Sequence, residues 1–232
     1  MSTLYLWLDI GSLLVPFLFS FHPKIQFYRK WKSFLMGTLV MMLFFIPWDI
    51  LFTQNGFWGF NTNYLTGIYF LGLPLEEWLF FFCIPYACLF THEALKKLAP
   101  KFVFTEKGTQ ILYLLLQSVL IVCLWYQYDQ WYTFVCFFYG MVVLGLTYNL
   151  RPSILPHFFT SYLVILLPFF VVNGILTGSF IDEPVVWYRN AETLGIRLGT
   201  IPLEDTLYNL GMLLTVLLAM ELFTSKAEVR AR

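Results

Sequence analysis

The chain is 232 residues long, 59% hydrophobic, 21% aromatic and 12% charged, with a mean hydropathy of +0.71, a formal net charge of +0 and a pI of about 6.8. A soluble domain carries about 25% charged residues, so composition excludes one; the neutral balance and short basic clusters argue against a nucleic-acid partner. The alternation of a membrane β-barrel is absent, and recurring apolar runs of about twenty residues predict an all-α polytopic membrane protein.

In chain order the first apolar run covers 4–21. It has no basic leader and no small-residue cleavage site, so it is expected to remain as a helix. The second run, 34–52, carries Trp48 and Asp49 towards its end. A carboxylate inside a span is a functional candidate by default, and otherwise a polar cap at headgroup level. The segment 53–72 then holds Trp58, Phe60, Tyr64 and Tyr69, and a third run, 74–90, opens with Pro74-Leu75-Glu76-Glu77. Runs at 109–126, 131–150 and 156–176 follow. A second long segment, 177–201, carries Trp187 and Tyr188, and the last run, 202–223, opens with Pro202-Leu203-Glu204-Asp205. The aromatic segments suit either interfacial anchoring or a hydrophobic lid over a cavity.

Seven spans sort the charges. Lys24, Arg29, Lys30, Lys32, Lys96, Lys97, Lys101, Lys107, Arg151, Lys226, Arg230 and Arg232 fall on one side, twelve of the 14 Lys and Arg, leaving Arg189 and Arg197 on the other. The positive-inside rule makes the first side cytoplasmic, so the N-terminus is expected outside and the C-terminus inside. The juxtamembrane clusters would face lipid headgroups. Glu221 near Lys226 reads as an interfacial ion pair, and Asp9 in the first run as a weaker candidate than Asp49. Cys83, Cys88, Cys123 and Cys136 have no metal-type spacing and read as core residues. His22, His92 and His157 are scattered, so no metal site is expected.

The two Pro-Leu-acid-acid motifs lie 128 residues apart, and Gly67-Ile68 aligns with Gly195-Ile196 at the same offset. Asp49-Ile50-Leu51 resembles the stretch from Asn173 to Thr177. This predicts two parallel three-helix repeats, 1–98 and 131–232, joined by a linking helix within 99–130. Proline suits the first turn of a helix, so Pro74 and Pro202 mark helix starts. The acids then sit in the first turn, at the positive end of the dipole, where they are either dipole partners or chemistry. Residues four apart share a face: Glu76 with Phe80, Glu77 with Phe81, Glu204 with Tyr208, Asp205 with Asn209. A carboxyl held against apolar walls or beside a second carboxylate can keep a proton at neutral pH and deliver it as a general acid. The two pairs are expected to form one proton-handling site. No Rossmann fingerprint and no phosphate-binding P-loop is present, nor an Asp-rich Mg-binding motif.

Pro74-Leu75-Glu76-Glu77, Ile201-Pro202-Leu203-Glu204-Asp205, the Trp48-Asp49 and Trp58-Gly59-Phe60-Asn61 stretches, and Val186-Trp187-Tyr188 with Leu194-Gly195-Ile196-Arg197 resemble the carotenoid-type lycopene cyclases, the fused two-domain membrane family. The resemblance covers nearly the whole chain. It implies Glu76, Glu77, Glu204 and Asp205 as catalytic acids, and a lycopene β-cyclase that closes the end groups of lycopene into β-ionone rings through γ-carotene. A terminal double bond is protonated, an internal double bond attacks the tertiary cation, and a proton leaves. No net redox occurs, so the stoichiometry demands no electron-carrying cofactor. Asp49, Trp48, Trp58, Trp187, Tyr208 and Asn209 are expected to contact the substrate, with aromatic faces stabilising the cation by about 2 kcal/mol or more when desolvated. The implied partners are a carotenoid from the bilayer, membrane lipids and other carotenoid-pathway enzymes, in a bacterial inner membrane.

A carotenoid hydratase or binding protein on the same scaffold is the alternative. A rhodopsin-like photoreceptor lacks support, because the last run contains no lysine for a retinal Schiff base. A proton-coupled transporter would keep the repeat but break its helices mid-bilayer, with Pro47 and Pro168 as the candidate breaks.

Overall fold

The computed structural model describes residues 3–223. Among these, seven α-helices form the body of the protein: α1 (Leu4–Phe19), α2 (Trp31–Gln54), α3 (Leu75–Leu98), α4 (Glu106–Tyr126), α5 (Trp131–Leu150), α6 (Leu155–Leu176) and α7 (Leu203–Phe223). Helices α2 to α7 are long and apolar enough to cross a membrane. Helix α1 has 16 residues, about 24 Å at 1.5 Å per residue, against a hydrocarbon core of about 30 Å. The chain is a membrane-embedded helical protein. Lys226, Arg230 and Arg232, and with them the expected Glu221–Lys226 ion pair, lie outside the described residues.

Helix α7 is the centre of the bundle. It packs between α2 and α5, and its stretch from Leu210 to Met220 is buried on all sides. Close approach to α2 depends on Gly37, where an added Cβ would stand 2.6 Å from the Val216 carbonyl oxygen; small residues serve this purpose in membrane helix pairs. Helix α1 packs along α3. Helix α4 is largely exposed, with Leu114, Leu115, Val119, Val122 and Trp125 among its outward residues, as expected of a lipid-facing helix. Hydropathy ends the third run at residue 90, yet α3 continues to Leu98. Its polar last turns are held by a buried ion pair from Lys30 to Glu93 at 2.5 Å and a His92–Ser161 hydrogen bond at 2.6 Å.

The two aromatic segments are not plain loops. They form short strands, all at the end of the bundle where α2 and α6 finish and α3 and α7 begin. Strand β1 (Trp58–Phe60) pairs antiparallel with β4 (Val186–Tyr188), placing Trp58 opposite Tyr188 and Gly59 opposite Trp187. Strands β2 (Tyr69–Phe70) and β3 (Leu73–Pro74) form a hairpin before α3, and β5 (Arg197–Leu198) and β6 (Ile201–Pro202) form one before α7. The first hairpin turns through Leu71 and Gly72, with φ of 53° and 86°, the two positive values of a type I′ loop.

This corrects the placing of the prolines. Pro74 has φ −65° and ψ 151° and is the last ribbon residue, with α3 starting at Leu75. Pro202 ends β6 in the same way. Edge positions tolerate proline because no ladder donor is lost there. The acids still fall in the first helical turn, as expected.

Candidate active site

Adjacent helix residues cannot face the same way, and this divides each acid pair. Glu76 turns outward to its own upstream loop, where its Oε1 accepts the Thr66 N–H at 2.6 Å. Glu204 does the same with the Leu194 N–H at 2.6 Å, and also accepts from the Thr133 hydroxyl at 2.6 Å. Both side chains are fully buried, and neither lines the cavity that their sequence neighbours enter.

Glu77 and Asp205 turn the other way, into a cavity of about 430 Å³ walled mainly by apolar and aromatic side chains. Oε2 of Glu77 accepts the Tyr5 hydroxyl at 2.6 Å. Asp205 is held by three donors: Tyr132 at 2.5 Å on Oδ1, and Asn173 at 2.8 Å and Tyr188 at 3.0 Å on Oδ2. Asp49, from α2, completes the group of carboxyls in the lining. The Trp58 indole lies beside it, and its Oδ2 has no hydrogen-bond partner among the described residues. The three acids feel one another, Asp49 interacting with Glu77 and Glu77 with Asp205. Asp9 is buried close to Glu77 but does not reach the cavity wall.

The remaining expected contacts separate by geometry. Trp58, Tyr208 and Asn209 line the cavity. The Asn209 side-chain amide lies beside the Tyr162 hydroxyl. Trp48 stands behind the wall and packs on Tyr208, with ring centroids 5.0 Å apart. Trp187 lies outside. Side chains alternate across a ribbon, so Trp58, Phe60, Val186 and Tyr188 roof the cavity, while Trp187 points away, 43% exposed, and covers Gly59.

Tyr5, Tyr132 and Asn173 were not singled out as site residues from sequence. The halves match here to within one residue: Tyr5 and Tyr132 are each the second residue of their helix, and each donates to the second acid of a motif. Tyr188, outside the helices, sits under the ribbon, where burial and then the Asp205 charge hold its hydroxyl well above the usual tyrosine range. It therefore remains a donor.

The fold and site are those of a helical membrane protein with an apolar, aromatic-walled cavity and three carboxyls in its lining. The family model described as "Lycopene cyclase" matches residues 2–95 and 129–223, and the chain belongs to that family. No curated protein and no solved structure matches it.

Proposed function

We propose that the protein is a lycopene β-cyclase, converting lycopene through γ-carotene to β-carotene as an intramolecular isomerisation. The observation that carries this reading is the unequal provision for the cavity acids. Asp205 receives three donated hydrogen bonds, which suits an ionised carboxylate, an acceptor on both oxygens. Asp49 keeps one oxygen unpartnered among the described residues, free to carry a proton into the cavity.

Asp49 then acts as the acid. Its proton goes to the terminal double bond of a bound end group, leaving a tertiary cation. The π electrons of an internal double bond close the ring, and Asp205 takes the proton whose loss forms the ring alkene. The proton is returned through Glu77, the electrostatic neighbour of both, so the cycle closes without redox. Tyr208 and Trp58 line the cavity, where cation–π attraction to a ring face is worth about 2 kcal/mol when water is excluded. Glu76 and Glu204 act through position, by holding the loops that follow the two roof strands.

The same reading includes seven crossings, with α1 as the seventh, an external N-terminus, a cytoplasmic C-terminus and a bacterial inner membrane. It also includes two parallel repeats, 1–98 and 131–232, with the segment 99–130 linking them. Its support is the basic-residue pattern and the matching hydrogen bonds that Glu76 accepts from the Thr66 N–H and Glu204 from the Leu194 N–H. Other carotenoid-pathway enzymes are proposed partners.

A hydratase is the second reading, favoured by Asn209, whose polar amide in the cavity wall could hold a water. Expression in a lycopene-accumulating host separates the two. Cyclic carotenoid of unchanged mass is expected. A hydroxylated product heavier by one water would establish the hydratase, and unchanged lycopene would overturn both.

A further inference from the structure

We propose that the gap between α1 and α6 is a lateral portal, through which one end of a long apolar polyene enters from the bilayer and along which the rest of it lies during reaction. The identity of the polyene rests on the cyclase reading; the portal itself does not.

The cavity wall runs from the acids along one face of α1, through Trp7, Gly11 and Val15, spaced four residues apart, and along α6 through Pro168, Phe169 and Val172. These residues line the cavity, yet Trp7 is 65% exposed and Val15 57% exposed. The cavity therefore opens sideways between the two helices. Helix α1 packs on α3 and scarcely meets α6. A Cβ placed on Gly11 would meet nothing within 4 Å, so the glycine leaves a free channel. Two other sides are covered. The β1–β4 ribbon roofs the acid end, and the central helix α7 backs it, packed on α2 and α5.

Size points the same way. A cavity of about 430 Å³ lies in the range that encloses a drug-sized ligand, roughly 300–1,000 Å³. It takes one end of a long polyene, and the remainder must pass out between the helices into lipid. The two ends are then treated in separate entries, and the half-reacted, monocyclic molecule leaves before its second end comes in.

Gly11→Trp tests this, because it puts a large side chain where an added Cβ meets open space, and glycine is a poor helix former. Leu14→Trp is the control, on an exposed position outside the lining. The purified protein is placed in phosphatidylcholine vesicles with a long-chain hydrocarbon carrying a terminal diazirine, and labelled peptides are mapped after illumination. The wild type and Leu14→Trp should label the residues around Asp49 and Tyr208; Gly11→Trp should lose that labelling at least tenfold. Equal labelling in Gly11→Trp overturns the portal. Pigment formed by the same proteins in lycopene-bearing membranes gives the second arm. Gly11→Trp should lower ring formation at least tenfold, and the milder Gly11→Val should raise the share of monocyclic product. Ring formation at the wild-type rate in Gly11→Trp overturns the portal and leaves the cyclase reading standing. Portal-dependent labelling in a wild type that forms no ring leaves the portal standing and removes the cyclase reading.

Discussion

Glu76 and Glu204 occupy the same place in their motifs, and each accepts a 2.6 Å hydrogen bond from the backbone N–H of the residue ten positions upstream. They act as loop clamps, and the second acid of each motif is left for the cavity. Glu76→Ala should therefore strip the Thr66 N–H of its acceptor and cost about 1–3 kcal/mol of stability, read as an earlier unfolding transition in detergent. Product formed per folded molecule should stay within a few-fold of wild type. Glu77→Gln should do the reverse, keeping the unfolding transition and losing ring formation. Equal loss of product in Glu76→Gln and Glu77→Gln would show that the two acids share one role.

Asp205 depends on its donors. Asp205→Asn should lower ring formation about 10²–10⁴-fold, the usual worth of a positioned acid or base. Tyr132→Phe and Tyr188→Phe each remove one donor and should fall between that variant and wild type. Wild-type turnover in both would separate the tyrosines from the chemistry.

The Tyr188 hydroxyl has its own pH signature. Burial disfavours the charged phenolate, and the neighbouring Asp205 charge adds to this, so its pKa moves up. An ordinary tyrosine ionises near pH 10. An ultraviolet titration of wild type minus Tyr188→Phe should accordingly show no tyrosinate difference band up to about pH 10 while the protein stays folded. A band appearing below that pH would mean that the hydroxyl is solvated.

The roof depends on one missing side chain. An added Cβ at Gly59 would stand 2.4 Å from the Trp187 ring. Gly59→Ala should destabilise the ribbon by about 1–3 kcal/mol, the range for overpacking. Trp187→Ala in the same protein should recover much of that loss, which a double-mutant cycle would measure as coupling. Additive effects would show that the ring is free to move aside.

Gly37 offers no such compensation. Its neighbour is the Val216 carbonyl oxygen, at 2.6 Å from an added Cβ, and that backbone lies in the packed centre of α7. Gly37→Ala should push α2 off α7 and lower the unfolding temperature more than Gly11→Ala, whose added methyl meets open space. The reverse order would place α2 further from α7 than described.

The helices were legible because each is driven by a long apolar run. The run at 131–150 coincides with α5, whereas α3 outruns its apolar stretch, from 90 to Leu98, because His92 and Glu93 find partners on other elements. The acid motifs were visible as charge in an apolar chain. The ribbons were not, because strands of two or three residues carry too short a pattern to register.

By itself the sequence determined the class of the protein, a membrane-embedded helical chain, and the six carboxyl-bearing positions worth weighing, from Asp9 to Asp205. Only the tertiary structure decided which of them meet. The rotation of α3 and α7 about their axes, set by packing against α1, α2 and α5, sends Glu77 and Asp205 inward and Glu76 and Glu204 to the loops. A sequence shows that two acids are adjacent, but adjacent residues on a helix point about 100° apart, and the surrounding packing selects the one that faces the cavity.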